Sequence, residues 1–131
     1  MPKPPQGITR NNQFKKNSYS EKPSKKLVKD MLFAFTVSKF VNSNAIVLAS
    51  GLKTVGIGIG QTSRVDSTKL AITKANKKYK GSDTVLASDG FFPFPDIVKL
   101  CSKNNIKYII QPGGSINDKS VIKAADKLNI S

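Results

Sequence analysis

VGIGIGQTSRVDS, residues 55–67, joins a strand pattern to the beginning of a helix. Gly56, Gly58 and Gly60 alternate with apolar residues, which is typical of a strand that has one bare face. From about Ser63 to Tyr79, mostly apolar and small residues recur on one side at helical spacing, while the lysines lie on the other sides. The stretch therefore predicts a strand that leads into a helix, with another backbone or a flat ligand close to the bare face.

The same glycines do not form either of the two common phosphate-binding loops. A dinucleotide-binding loop needs a third glycine three positions after Gly58, where the sequence has Gln61, and a P-loop needs a lysine after Gly60. Arg64 is a candidate for a different kind of binding. A guanidinium beside the N–H groups of a helix start can hold an anionic or carbonyl oxygen. A structural or surface role for this arginine is the alternative.

Hydrophobic periodicity extends this organisation to both sides of the stretch. A helix is predicted after Ser24 as its N-cap, and the strands 45–49 and 54–60 form a predicted hairpin. Further strands are predicted at 84–88 and 107–110, and further helices at about 95–103 and 117–128. Because strands and helices alternate, we expect parallel pairing and an α/β fold, a layered sheet with helical cover. The predicted inner face of the first helix consists of Leu27, Met31, Ala34, Phe35, Ser38 and Val41.

The loop SDGFFPFPD, residues 88–96, follows a predicted strand and is unusually rich in phenylalanine and proline. Loops beyond the carboxyl ends of strands are where α/β sheets bind ligands. The aromatic rings could stack on a planar heterocycle while Asp89 or Asp96 accepts hydrogen bonds from its edge. The alternative is that Phe91, Phe92 and Phe94 are core residues and Asp96 caps the next helix. The later loop QPGGS, residues 111–115, is interpreted as a plain turn.

The net charge of +14, from 22 Lys and Arg against 8 Asp and Glu, raises the question of a nucleic-acid partner. Only Arg10 and Arg64 are arginines, whereas base-edge recognition favours the guanidinium. The lysines are spread along the chain, apart from the run at 74–80. Most of this charge is therefore interpreted as solvated surface, and a small basic nucleic-acid-binding module is kept as the second hypothesis.

Cysteine, histidine and hydropathy exclude several other classes of protein. The sequence has one cysteine, Cys101, and no histidine, so neither an internal disulfide nor a zinc site of the usual Cys/His kind can form. No apolar run is long enough to span a bilayer, and the first residues lack the apolar segment of a signal peptide. We expect a cytoplasmic protein in which residues 1–22 are a disordered or loose lead-in and residues 23–131 form one domain.

Four stretches, in this order and spacing, resemble one enzyme family. They are SNAIV (43–47), VGIGIGQTSRVDS (55–67), SDGFFPFPD (88–96) and QPGGSINDKSVIKAAD (111–126). They are similar to the C-terminal end of the bifunctional family that joins aminoimidazole carboxamide ribonucleotide (AICAR) formyltransferase to IMP cyclohydrolase. The resemblance covers about residues 21–130.

The resemblance implies formyl transfer from 10-formyltetrahydrofolate to the 5-amino group of AICAR, in a cytidine-deaminase-like fold without zinc or another metal. By position, Asn44 matches the asparagine that orients the carboxamide and formyl groups. Arg64 matches the arginine that lines the folate and nucleotide site. The loop that holds the pterin is matched by Phe91, Pro93, Phe94 and Asp96, with Asp96 as the hydrogen-bond acceptor.

Two departures from the family pattern lead to further expectations. The catalytic lysine-histidine pair lies upstream in the family and has no counterpart here, so we expect little or no catalysis by this chain alone. The family also continues after the position of Ile130 with a short strand and a basic, aromatic, histidine-bearing tail, which this sequence lacks. Because an apolar residue after a last helix normally begins another strand, the ending Leu128-Asn129-Ile130-Ser131 predicts a truncated piece of a larger protein. The family's site forms across a homodimer, which implies a second copy or a missing complementary chain as partner. An inactive folded remnant is the third hypothesis.

Overall fold

The computed structural model describes residues 23–76, 83–114 and 116–131. The predicted loose lead-in at 1–22 lies outside the described residues, as do Tyr79 at the predicted end of the second helix and Ser115 of the QPGGS loop. The described part contains four helices and four strands in the order α1 (Lys25–Ser38), β1 (Ile46–Ser50), β2 (Lys53–Gly58), α2 (Arg64–Asn76), β3 (Val85–Ser88), α3 (Asp96–Lys103), β4 (Tyr108–Ile110) and α4 (Asp118–Lys127).

Helix α1 begins where the sequence predicts. The hydroxyl of Ser24 accepts a hydrogen bond from the Leu27 N–H at 3.2 Å, which satisfies one of the unpaired donors of the first turn. The predicted inner face is buried up to Ser38. Val41 was predicted to extend this face, but the helix ends at Ser38 and Val41 lies in the following loop.

The hairpin of β1 and β2 turns through Gly51 and Leu52, which both have positive φ angles of 58° and 59°. The carboxylate of the buried Asp30 accepts hydrogen bonds from the backbone N–H groups of both turn residues, at 3.1 and 2.9 Å. Helix α1 therefore holds the turn through one side chain. Asp30 was not predicted as a core-facing residue because aspartate is rarely buried without partners.

The bare face of the glycine-rich strand is covered by the backbone of α2. A Cβ atom added to Gly58 would lie 1.8 Å from the Ser67 carbonyl oxygen, and one added to Gly56 would lie 2.2 Å from that of Ala71. Of the two predicted occupants of this face, the structure shows the backbone. The Ser63 hydroxyl accepts a hydrogen bond from the Asp66 N–H at 3.1 Å, in the manner of an N-cap, so the strand leads into the helix as predicted.

The sheet is mixed, with the strand order β2-β1-β3-β4. β3 and β4 are parallel, as expected, but β1 is antiparallel to both β2 and β3. The expectation of parallel pairing is therefore wrong for β3 with β1. Alternation of strands and helices predicts the direction of successive strands. It does not predict which strands are neighbours in the sheet, and here the hairpin places β1 between β2 and β3.

Alternate residues of the central strands belong to two separate hydrophobic clusters. Val47 and Ala49 belong to the cluster that contains the inner face of α1. Ile46 and Leu48 belong to the cluster that contains the buried residues of α2, α3 and α4. The chain thus forms an α/β fold that consists of a four-stranded mixed sheet and helices.

The last residues lie against the free edge of β4. Ile130 is buried, the Ser131 N–H donates to the Lys107 carbonyl and the Ile109 N–H donates to the Ser131 carbonyl, both at 2.8 Å. These two hydrogen bonds have the pattern of a parallel bridge to β4.

Candidate functional site

One edge of the sheet collects most of the residues that the sequence singles out. β2, β3 and β4 end at this edge, and the antiparallel β1 begins there, since Ile46 lies opposite both Gly58 and Ser88. The segment before β1, the start of α2 and the loop after β3 therefore meet although they are far apart in sequence. This is the position at which open α/β sheets bind ligands.

Arg64, the first residue of α2, extends from the helix start to the two other segments. Its Nη1 donates a short hydrogen bond to the Asn44 side-chain oxygen, and its Nη2 lies 3.3 Å from Oδ1 of Asp89. The guanidinium also lies against Gly90, where an added Cβ would be 1.8 Å from Nη2. The arginine is thus held by an amide, a carboxylate and a glycine backbone.

Asn44 has both ends of its side-chain amide in use. Its oxygen accepts from Arg64, and its nitrogen donates to the Gln61 carbonyl at 3.0 Å. Its own carbonyl accepts from the hydroxyl of the buried Ser67 at 2.6 Å, and its peptide bond with Ser43 is cis. Asn44 and Arg64, which the resemblance assigns to one site, are therefore in direct contact.

Asp89 is the centre of the contacts between these segments. Its Oδ1 accepts from the Ala45 N–H at 3.1 Å, and its Oδ2 accepts a short hydrogen bond from the Ser43 hydroxyl. The Asp89 N–H donates to the Ala45 carbonyl at 3.1 Å, and the Lys39 ammonium donates to the Asp89 carbonyl at 3.2 Å. The carboxylate thus joins Arg64 to the segment before β1.

The aromatic loop after β3 divides into buried and exposed phenylalanines. Phe92 is completely buried, whereas Phe91 and Phe94 expose 45% and 59% of their surface. The alternative that all three are core residues is therefore wrong for two of them. One ring thus enters the core while its two neighbours face outward.

Three hydrogen bonds anchor this loop. The Ser88 hydroxyl donates to the Gly90 carbonyl at 2.7 Å, and the Phe92 N–H donates to the side-chain oxygen of Gln111 at 2.6 Å. Asn117, just before α4, donates from its side-chain nitrogen to the Pro93 carbonyl at 2.8 Å. The exposed rings are consequently carried by a loop that is tied to the segments after β4.

Asp96 is the first residue of α3 and is exposed, as is Pro93. Its Oδ1 accepts from the N–H of the next residue, Ile97, at 3.0 Å. The N-cap position of α3 is Pro95, and no side chain makes a capping hydrogen bond there, so the alternative that Asp96 caps the helix is wrong. Asp96 remains open to solvent.

The structure brings the predicted residues together in two groups. Asn44 and Arg64 form one group, and the aromatic loop with Phe91, Phe94 and Asp96 forms the other; the contact between Arg64 and Gly90 connects them. Binding of a substrate by any of these residues stays a prediction.

Sequence reasoning missed the contacts of Asp89 and the role of the two serines, Ser43 and Ser67. Asp89 was noted only as a carboxylate beside the aromatic loop, because the contacts that define it join residues 25 to 46 positions apart. Its position directly after a buried strand and before a glycine was the available signal.

Cys101 is buried in α3, and desolvation raises the pKa of its thiol from 9.0 to about 12.

Among residues 23–76, 83–114 and 116–131, no group of three or more His, Cys, Asp or Glu is arranged to hold a metal ion. None of the helices in the same residues has the length and hydropathy required to cross a bilayer.

Comparisons with known proteins agree with the resemblance seen in the sequence. Residues 5–74 match the family described as the AICARFT/IMPCHase bienzyme. The bifunctional purine biosynthesis protein PurH of Fusobacterium nucleatum is 49% identical over 110 residues, which are 84% of this chain and 22% of that protein. PurH of Thermoanaerobacter sp. (strain X514) is 55% identical over 109 residues, 83% of this chain and 21% of that protein.

The chain therefore spans about a fifth of the length of these curated relatives. Among solved structures, the diaminohydroxyphosphoribosylaminopyrimidine deaminase/5-amino-6-(5-phosphoribosylamino)uracil reductase of Thermotoga maritima is similar, with a TM-score of 0.50 and 19% identity over 79% of this chain and 34% of that chain. At this identity the likeness concerns the fold alone, and it is consistent with a deaminase-like α/β arrangement.

Proposed function

Because this chain belongs to the AICARFT/IMPCHase bienzyme family, we propose that it contributes binding residues for formyl transfer from 10-formyltetrahydrofolate to AICAR in purine biosynthesis. The observation that supports this best is the direct contact between Asn44 and Arg64. These residues are twenty positions apart, and the resemblance assigns Asn44 to the carboxamide and formyl groups and Arg64 to the folate and nucleotide site. The comparisons do not favour the basic nucleic-acid-binding module.

In this proposal Asn44 orients the carboxamide and formyl groups, and Arg64 lines the folate and nucleotide site. An amide whose orientation is fixed by Gln61 and an arginine whose position is fixed by Asp89 can hold such polar groups in one geometry. Preorganised donors of this kind bind a carbonyl oxygen without first being reordered.

The aromatic loop binds the pterin of the folate in the same proposal. The exposed rings of Phe91 and Phe94 offer flat apolar surfaces, Pro93 shapes the loop between them, and Asp96 accepts hydrogen bonds from the ring edge. The hydrogen bonds of the loop with Gln111, which accepts, and Asn117, which donates, hold this surface in place.

The proposal includes three further properties of the site. Its fold is a layered, cytidine-deaminase-like one without zinc, and folate serves as a co-substrate with no metal. The partner is a second copy of the chain or a complementary chain that completes the site. Sedimentation of the chain, alone and with both ligands, tests the dimer: a mass of one copy at all concentrations would contradict it.

Isothermal titration with AICAR and with a folate analogue tests the assignments. We expect Arg64→Ala to weaken AICAR binding and Asp96→Ala to weaken folate binding, each by about tenfold or more, because a hydrogen bond to a charged group contributes about 1.5–3 kcal/mol. Asp66→Ala, an exposed carboxylate on α2, is the matched control. Equal heats for all four proteins would remove the assignments.

A further inference from the structure

We propose that Asp89 is the positioning residue that sets the direction of Arg64 and Asn44. The inference rests on the proposed function for the role of those two residues, but the geometry that carries it is independent of any ligand. Neither the resemblance nor the comparisons assign a role to Asp89.

The first argument is that the carboxylate of Asp89 contacts both neighbouring segments at once. Oδ1 is shared between Arg64 Nη2 at 3.3 Å and the Ala45 N–H at 3.1 Å, while Oδ2 accepts from the Ser43 hydroxyl. Ser43 and Ala45 flank Asn44 in sequence. The two residues on either side of Asn44 are therefore fixed by one carboxylate, and the same carboxylate holds the guanidinium that donates to Asn44.

The second argument is that Asp89 is itself held in place. Its backbone N–H donates to the Ala45 carbonyl at 3.1 Å, in continuation of the pairing between β1 and β3. Its carbonyl accepts from the Lys39 ammonium, which lies 4.8 Å from the centre of the Phe35 ring. A side chain on such a fixed backbone can orient its partners.

The third argument concerns solvent. The side chains of Arg64 and Asp89 are 18% and 10% exposed, so their attraction is screened less than that of a surface pair. Removal of the carboxylate would leave a guanidinium with little water around it and only the Asn44 oxygen as a strong acceptor. The arginine would then adopt other directions, and the Asn44 amide would lose its fixed orientation.

The test is an NMR measurement on the free 131-residue chain, followed by titration with AICAR. We compare the Asn44 side-chain amide and the Arg64 Nε–H signals in the wild type, Asp89→Asn and the control Asp66→Asn. Both variants remove one carboxylate, but Asp66 is exposed on α2. We expect Asp89→Asn to shift or broaden both sets of signals and Asp66→Asn to leave both unchanged.

Ser43→Ala removes only the hydrogen bond to Oδ2 of Asp89. It serves as a second variant if a thermal melt shows that Asp89→Asn is not cooperatively folded. It should shift the Asn44 signals in the same direction by a smaller amount. Signals that stay within the range of the Asp66→Asn control in every folded variant would overturn the proposal.

The AICAR titration separates this proposal from the proposed function. We expect Asp89→Asn to bind AICAR about tenfold more weakly than the wild type, as for loss of a charge-assisted hydrogen bond. If the wild type itself does not bind AICAR, the proposed function fails and the NMR signals still decide the role of Asp89. If the variant binds AICAR as tightly as the wild type, Asp89 is not a positioning residue for that site.

Discussion

At Gly56 and Gly58 the missing side chains set the distance between β2 and α2. The carbonyl groups of Ala71 and Ser67 occupy the space that a Cβ atom would fill. These glycines are needed for close approach and not for unusual backbone angles, since neither has a positive φ. The bare face of the glycine-rich strand is thus explained by packing of a helix.

Gly58→Ala should lower the free energy of unfolding by about 3 kcal/mol or more, because its methyl group would meet a backbone oxygen that cannot move alone. Urea denaturation measures the change. The control is Gly113→Ala, whose Cβ would lie 3.2 Å from a carboxylate oxygen of Asp118. A loss at Gly58 no larger than that of the control would contradict the close packing.

Cys101 should react with thiol reagents only after unfolding. With its pKa raised from 9.0 to about 12, the thiolate fraction at pH 8 is about a thousandfold lower in the folded chain than in the unfolded chain. Burial slows the reaction further. The labelling rate at pH 8, with and without urea, measures this difference, and equally fast labelling of both states would contradict it.

The same thiol also gives the stability of the chain a pH dependence with a definite sign. Well below pH 9 the thiol is neutral in both the folded and the unfolded chain. Between pH 9 and about 12 the unfolded chain loses the proton and the folded chain keeps it. The free energy of unfolding therefore falls as the pH rises through this range. Urea denaturation at pH 8 and 10.5 should show a larger loss for the wild type than for Cys101→Ala. Equal losses would contradict the raised pKa.

At the scale of elements, the sequence was sufficient to predict every helix and strand of the described residues to within a few positions. Caps, glycines and periodicity are local signals, so they mark where elements begin and end. The order of the strands depends on contacts between distant segments, and for this reason the antiparallel pairing of β1 with β3 was not predicted. The network around Asp89 was missed for the same reason.

The turn between β1 and β2 depends on a residue of α1. Asp30→Ala should lower the free energy of unfolding by about 2 kcal/mol, because two backbone N–H groups lose a charged acceptor. Asp30→Asn should have a smaller effect, since it keeps one acceptor oxygen. Lys29→Ala, an exposed neighbour on α1, is the control in urea denaturation. Equal effects at positions 29 and 30 would contradict this role.

At the scale of the whole molecule, one sheet belongs to both hydrophobic clusters. Ile46 and Leu48 contribute to one cluster, and Val47 and Ala49 of the same strand contribute to the other. Loss of either cluster would expose one face of β1, so the two are expected to unfold together.

Hydrogen exchange tests this cooperativity. The amides of Phe35 in α1 and Ala71 in α2 lie on helices of different clusters and should show the same free energy of opening, equal to that of global unfolding. An amide in the first turn of a helix has no partner within the helix and is not a suitable comparison, so Ala34 and Ile72 serve as second probes. Exchange of α1 at a clearly lower free energy would show that α1 opens separately.

The close approach of α2 to β2 has a consequence for molecular recognition. Arg64 begins the helix whose backbone touches Gly58, so the backbone of Arg64 cannot move without a shift of α2 along β2, and Asp89 holds its side chain. A ligand that binds at this edge would meet a preformed surface. Little conformational entropy of the protein would therefore be lost on binding. The selectivity of the site would then come from steric exclusion of ligands with the wrong shape, and not from a conformational change around the right ligand.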